Sequence, residues 1–430
     1  KINSMLKKLL FLLFPVFINA QGYTSYFTGN TTNITTTPEF GVCLMGGASE
    51  HDEAMKWLLQ KANGGDVVVL RSSGSNGYNN YLYSGLGVTV NSVETLVITS
   101  VAGATNPYVL DKVANAEMIW FAGGDQWNYV SFFKDNALES LLNQHINVKN
   151  APIGGTSAGM AILCGKYFNA QNGSVTSSQA MNNPYHPNVT LGYDDFLSVP
   201  FLDDVITDTH YDNPDRRGRQ STFMARFKND FNMNVKGIAA NEYVAICIDE
   251  TGRARVFGEY PAYEEYAFFV QANCSNPNDI ETIQSGVPLT WNYNGQALKV
   301  YKVPGTMNGE HFFDVDNWES GTVSGGSWEH WSVTNGIFAA VPGTPIDCSL
   351  TVNDFSETVF QVSPNPFSTN FSVKGITSAK ISLFDVQGRR VLEKENYAGD
   401  KIDTTIIKPG IYVLQIEEES QIKTKKIIKN

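Results

Sequence analysis

Apolar and polar positions alternate in blocks along most of this chain. Phe40–Met45 is an apolar run that ends at Gly46-Gly47, and a helical pattern follows from His51 to Ala62. Asp66–Leu70, Thr95–Thr99 and Glu117–Phe121 are short and rich in Val, Ile and aromatics, as buried strands are. Residues 107–115 and 127–146 carry helical spacing between them. Strands alternating with helices predict an α/β fold: a three-layer, mostly parallel sheet with helices on both faces. Farther on, Gln220–Phe231 reads as a helix, Gly237–Asp249 as a strand pair, and 259–350 as late strands rich in aromatic and turn residues. The texture changes at Val362. Ser-Pro-Asn-Pro is followed by the strand-like runs Phe371–Lys374, Lys380–Phe384, Gly410–Ile416 and Gln421–Ile428, a small all-β module.

Ligands of parallel sheets sit beyond the carboxyl ends of the strands. Two loops fall at such ends: Gly123-Gly124-Asp125-Gln126, and Gly154-Gly155-Thr156-Ser157-Ala158-Gly159. The second contains G-x-S-x-G between a short apolar piece and the helix-compatible run Ala158–Leu163. A serine on such a strand-turn-helix elbow is held exposed, where it can attack a carbonyl. Backbone N–H groups at the helix start can then meet the oxyanion. The same pattern also suits a small-residue turn that merely opens a buried helix.

The serine needs a base and the base an orienting acid. Of six histidines, His145 lies in a helical pattern, His186 in a loop, and His311 and His330 among late aromatics. His51 opens a helix near the end of the first strand and is the rival candidate. His210 sits in Asp208-Thr-His-Tyr-Asp-Asn-Pro-Asp-Arg-Arg-Gly-Arg219, directly after an apolar strand. Acid, imidazole and guanidinium groups are packed there as carboxylate recognition beside a nucleophile requires. Glu242 closes Gly237-Ile-Ala-Ala-Asn-Glu just before the apolar run Tyr243–Ile248, a setting in which a carboxylate has a partner.

Charge and cysteine content narrow the classes. The net charge is −12, and residues 21–356 alone carry 17 basic and 34 acidic side chains. That field disfavours nucleic acid and favours cationic partners. Met5–Ala20 has a basic start, a short apolar core and a small terminal residue. It reads as a signal peptide cleaved near Ala20–Gln21, too short for a membrane span, and no other stretch is long and apolar enough for one. Export makes a disulfide between the loop residues Cys274 and Cys348 plausible, whereas Cys43, Cys164 and Cys247 lie in apolar runs and read as buried thiols. No CxxC or His/Cys cluster suggests a metal, and no cofactor is called for.

Three patterns in this order, Gly123-Gly124-Asp125-Gln126, Gly155-Thr-Ser-Ala-Gly159 and Asp208-Thr-His-Tyr…Arg216…Arg219, resemble the cyanophycinase family of serine peptidases over roughly residues 38–345. The resemblance implies a class I glutamine-amidotransferase-like fold, with Ser157 as nucleophile, His210 as general base and Glu242 as the acid. It further implies oxyanion contacts at the backbone of Gly124 and Ala158, substrate contacts from Gln126, Asp208, Arg216 and Arg219, and no cofactor. The expected substrate is cyanophycin or a related aspartyl or β-aspartyl-arginine peptide. The family usually has arginine four residues after the histidine; here Pro214 stands there, without a guanidinium or a backbone donor. The serine chemistry is untouched by that change, and the substrate is left open.

Val362-Ser-Pro-Asn-Pro-Phe367, Ile381-Ser-Leu-Phe-Asp-Val-Gln-Gly-Arg-Arg390 and Lys408-Pro-Gly-Ile-Tyr-Val-Leu-Gln415 resemble the type A sorting domain of the type IX secretion system. The expected organisation is a signal peptide (1–20), an irregular mature N-terminus (21–38), a peptidase domain (39–350), a linker (351–361) and a sorting domain (362–430). Partners would be a peptide or poly-amino-acid substrate and the type IX machinery, with a homodimer left open. Two other readings fit the motifs. A serine esterase shares G-x-S-x-G, although the α/β-hydrolase order places its acid before its histidine. A catalytically silent surface protein that binds peptides would tolerate Pro214.

Overall fold

The computed structural model describes residues 21–274, 280–319, 321, 325–345, 361–374, 376, 378–418 and 421–430. The expected signal peptide lies outside these residues, as do Cys348 and nearly all of the expected linker. The chain divides into two compact units, Lys1–Cys348 and Ser349–Asn430.

The first unit is built on two sheets. The nine-stranded sheet has at its centre five parallel strands in the order Ser92–Ile98, Asp66–Arg71, Met118–Phe121, Ile153–Thr156 and Val42–Met45. These strands are buried on both faces. In Val42–Met45, Val42 and Leu44 join one core while Cys43 and Met45 join the other. Val68 and Leu70 against Val67 and Val69 repeat this division. The period-2 alternation of a strand therefore appears in sequence as an unbroken apolar run.

Helices Asp52–Lys61, Pro107–Asn115 and Ala137–Asn147 supply crossovers between these strands. The stretch expected as one helix over 127–146 is two, Gln126–Phe133 and Ala137–Asn147. Asp135 takes φ 59° and Asn136 caps the second helix by accepting from Leu138 N–H. The N-terminus is not irregular as expected: Tyr23–Gly29 pairs antiparallel along Ser92–Ile98 and covers that edge. Its Tyr, Thr and Phe residues favour a strand, and Ser25 Oγ donates to Glu94 at 2.6 Å.

The expectation of one mostly parallel sheet is corrected by the second sheet. Its eight strands run Ile337–Pro342, Ser327–Thr334, Leu298–Pro304, Tyr266–Ala272, Lys236–Ala240, Val205–Asp208, Lys166–Phe168 and Leu191–Tyr193. Only Val205–Asp208 pairs parallel, to Lys236–Ala240 on one side and Lys166–Phe168 on the other. The other neighbouring pairs of this sheet are antiparallel. Ser327–Thr334 turns into Ile337–Pro342 through Asn335-Gly336, both at positive φ (49° and 76°), the Asn-Gly turn that hairpins prefer.

Gly237–Asp249 is likewise not a single strand pair. Lys236–Ala240 belongs to the second sheet and Ala245–Ile248 to the first, next to Val42–Met45. The segment Asn241–Val244 therefore passes from one sheet to the other.

The second unit is all-β among its described residues. Gln361–Ser363, Asn370–Lys374 and Ile402–Asp403 form one sheet; Arg390–Tyr397, Ala379–Asp385, Gly410–Glu418 and Gln421–Lys429 form another. Its own core holds Phe367, Phe371, Ile381, Leu383, Leu414 and Ile427. Tyr397 ties the two sheets together, its hydroxyl accepting from Val373 N–H at 2.8 Å.

Candidate active site

The carboxyl ends of strands from both sheets converge on one place. Ser157 follows Ile153–Thr156, and its parallel neighbour Val42–Met45 delivers Gly46-Gly47 beside it, with Met45 opposite Thr156. In the second sheet Ala239 pairs with Asp208, so the residues just beyond, His210 and Glu242, emerge side by side. Backbone bonds fasten the two ends together. His210 N–H donates to Gly46 O at 2.7 Å, Tyr243 N–H to Gly47 O at 3.0 Å, and Gly46 N–H to Val244 O at 2.9 Å.

Ser157 takes φ 52° and ψ −114°, a conformation that costs a non-glycine residue energy. The turn is tight enough that a Cβ on Gly155 would come within 2.6 Å of Gly159 carbonyl carbon, so both G-x-S-x-G glycines are sterically required. Ser157 N–H is committed to Met45 O at 3.0 Å and cannot serve an oxyanion. Ala158 is the first residue of the helix Ala158–Ala161, so its N–H has no partner within that helix. Gly123 lies against the serine: a Cβ there would be 3.5 Å from Ser157 Cβ. Gly124, at φ +145°, is solvent-exposed one residue farther along.

His210 Nε2 is 2.8 Å from Ser157 Oγ, and its Nδ1 is 2.6 Å from Glu242 Oε1. This chain of contacts is what moving a proton off the serine requires: a neutral imidazole facing Oγ, held by a carboxylate on its other nitrogen. His210 itself sits at φ 46°. The Glu242 carboxyl is held below its ordinary value, first by the hydrogen bond from His210, against a smaller opposing effect of burial. Asp212 fixes Glu242 from behind, Oδ1 accepting Glu242 N–H at 3.0 Å, and Asn213 Nδ2 reaches Glu242 Oε2 at 3.5 Å.

The other expected site residues divide. Asp208 and Arg219 are both buried and spent on each other: Nε donates to Oδ2 at 2.8 Å and Nη2 to Oδ1 at 2.5 Å. Arg219 Nη1 also donates to Ser174 Oγ and Val175 O. Gln126 Nε2 donates to Phe168 O at 2.8 Å. Arg216 is half-buried near Asp208, Asp212 and Glu242, and makes no side-chain ion pair among the described residues; burial and the neighbouring Arg219 pull it below its usual range. The rival base His51 is elsewhere, buried with its ring 5.8 Å from that of Phe257. His145 is fully buried on Pro152 O at 3.1 Å, and burial pushes it down to about 4.

Sequence reasoning assigned no role to Gly47, Asp212 or Asn213. Gly46-Gly47 was visible as a strand end, but its contact with His210 depends on how the two sheets meet. Cys43, Cys164 and Cys247 are free and buried. The expected Cys274–Cys348 bridge has one member outside the described residues.

Residues 58–255 match Peptidase family S51, and residues 361–430 match the secretion system C-terminal sorting domain. Curated proteins similar to this chain include the cyanophycinases of Synechococcus elongatus and Thermosynechococcus vestitus. Each is 25% identical over 171 residues, which is 40% of this chain and 48% of the relative. The chain thus spans about half the length of the curated relatives it matches. Solved structures similar to it include a peptidase from an acI-B1 Actinobacterium, with TM-score 0.39 and 15% identity over 52% of this chain and 89% of that one. Another is a putative peptidase E from Listeria monocytogenes, with TM-score 0.33 and 17% identity over 51% and 98%. The match to the sorting domain indicates type IX secretion and a secreted or cell-surface protein. Among the described residues no helix is long and apolar enough to cross a membrane.

Proposed function

We propose that residues 39–350 form a serine-type peptidase with a glutamine-amidotransferase-like arrangement, in which Ser157, His210 and Glu242 act as nucleophile, general base and orienting acid. The observation that carries this reading is the continuous relay Oγ–Nε2–Nδ1–Oε1 on a strained elbow. Ser157 Oγ attacks the scissile carbonyl as His210 Nε2 takes its proton. Glu242 stays ionised and stabilises the imidazolium. The developing oxyanion meets the Ala158 N–H and the backbone of the Gly123-Gly124 turn. His210 returns the proton to the leaving amine, and water then releases the acyl group by the same route.

The substrate proposed is cyanophycin or a related aspartyl or β-aspartyl-arginine peptide. The similarity to cyanophycinases supports it, and so does the uncommitted guanidinium of Arg216, placed to receive a substrate carboxylate. Pro214 favours a second reading, a surface protein that holds peptides without cleaving them.

The test uses the purified protein and its Ser157→Ala variant with cyanophycin granules and, separately, a fluorophosphonate probe. Release of β-aspartyl-arginine by the wild type alone would establish chemistry and substrate together. Labelling of Ser157 without release would keep the peptidase and overturn the substrate. No labelling would overturn the relay in favour of the binding protein.

A further inference from the structure

Two of the free cysteines face each other across the strand pair that feeds the candidate site. Val42–Met45 and Ala245–Ile248 run antiparallel, with Cys43 directly opposite Cys247. Directly opposite residues project from the same face of a sheet. Both side chains accordingly lie in one core, with Met45, Met55, Trp120 and Ala245, and neither reaches solvent. The third free cysteine, Cys164, belongs to a different core.

The register fixes which kind of pair this is. Antiparallel partners alternate between pairs that exchange backbone hydrogen bonds and pairs that do not, and the second kind brings Cα atoms to about 4.5 Å with the side chains closer. Just beyond Met45 and Ala245, Gly46 N–H donates to Val244 O at 2.9 Å, so Gly46 and Val244 are a bonded pair. By alternation Leu44 and Ile246 are bonded, and Cys43 and Cys247 are not. The outer neighbours agree. Met45 O accepts from Ser157 N–H at 3.0 Å, and Asp249 N–H donates to Arg253 O at 3.2 Å, so alternate residues on both strands turn their backbone groups away from the shared seam. Cys43 and Cys247 are in phase with these. A disulfide needs Cα atoms about 4.4–6.8 Å apart and converging Cβ vectors. A non-bonded cross-strand pair supplies both without backbone movement.

The compartment is an independent observation. The match to a sorting domain indicates an exported protein, and disulfides form and persist outside the cytoplasm.

We infer that Cys43 and Cys247 are a modification site, a dithiol that a thiol–disulfide oxidant outside the cytoplasm converts to a cross-strand disulfide. One thiolate attacks the oxidant's disulfide and expels its first thiolate; the second cysteine attacks the mixed disulfide and expels the other. Two protons and two electrons leave the pair, and the oxidant's disulfide becomes two thiols. Burial, with Cys43 adding to it, pushes the Cys247 thiol well above its ordinary range, which leaves the folded pair unreactive. The bridge therefore closes while the strands pair, before the core shuts. It staples the strand that runs into Gly46-Gly47 to the one that leaves Glu242. Neither step needs Ser157 to be reactive.

Peptide mapping of the exported protein tests this, beside the same chain made in a reducing cytoplasm. Both are denatured in iodoacetamide without reductant and digested. The exported protein should yield Cys43 and Cys247 in one cross-linked peptide pair and Cys164 alkylated; the cytoplasmic chain should yield all three alkylated. A reductant should also lower the melting temperature of exported wild type by about 5 °C more than that of Cys247→Ala, which has no pair to open. Alkylation of Cys43 and Cys247 as free thiols in the exported protein would overturn the proposal, whether or not the variant folds. So would a bridge from either one to another cysteine. An equal response of wild type and Cys247→Ala to reductant would overturn the staple.

Discussion

Gly47 lies directly against the His210 imidazole: a Cβ at Gly47 would come within 2.4 Å of both Cε1 and Nε2. The histidine can face Ser157 only because residue 47 has no side chain. Gly47 also sits at φ +125°, where an L side chain is strained. Gly47→Ala should therefore displace His210 and lower kcat by at least about 100-fold, since small misplacements of a catalytic group are costly. Turnover and circular dichroism measured together check this. Lost activity with retained secondary structure is the expected pair of results.

Ser157 holds an unfavourable backbone conformation, which the proposed mechanism uses to expose Oγ. Ser157→Gly should abolish turnover and raise stability by about 1 kcal/mol, because glycine accepts that conformation freely. Ser157→Ala should abolish turnover without that gain. Thermal unfolding of the two variants beside wild type separates them; equal melting temperatures would mean that the elbow stores no strain.

Glu242→Gln keeps the shape and removes the charge that, in the proposed mechanism, steadies the imidazolium. A fall in kcat of about 10²–10⁴ is expected, by analogy with loss of the triad acid elsewhere. The carboxyl is depressed below its ordinary value of 4.5, chiefly by the His210 hydrogen bond. Its contribution to stability is therefore complete above 4.5 and is lost as the pH falls through the lower folded value. Wild type should be more stable than Glu242→Gln at neutral pH, with the gap closing as the pH falls below that lowered value. Urea unfolding across a pH series from neutral into the acid range measures it.

Asp208 and Arg216 should behave oppositely although the same motif supplies both. Asp208→Asn leaves the Arg219 guanidinium buried without its charge partner and should cost about 3–5 kcal/mol. Arg216→Gln removes a half-buried cation that pairs with nothing among the described residues. It should raise KM for an anionic substrate about tenfold or more while the melting temperature stays within experimental scatter. Parallel unfolding and kinetic measurements on the two variants decide the assignment.

The sequence made the central strands and the residues of the relay visible because both depend on local chemistry. Val67–Leu70 and Val42–Met45 are apolar on both faces wherever they are placed, and a G-x-S-x-G turn needs its glycines within five residues. Asn241–Val244 passing between sheets could not be read, because strand propensity is the same on either side of it. The helix Arg217–Phe231 begins three residues earlier than its apolar pattern, since Arg219 enters the core only with Asp208 waiting for it. Arg219 looked like a substrate ligand for the same reason: a buried pair and an open binding pair have one composition.

That crossing gives the protein an unusual gauge of its own integrity. Glu242 is anchored at one end to a strand of the second sheet and at the other to a strand of the first. Slippage of either against the other by even a fraction of a residue spacing would lengthen the 2.6 Å contact with His210 long before a hydrophobic core opened. Turnover would then fade ahead of any spectroscopic sign of unfolding, making catalysis an early warning of loosening on a protein that must survive outside the cell.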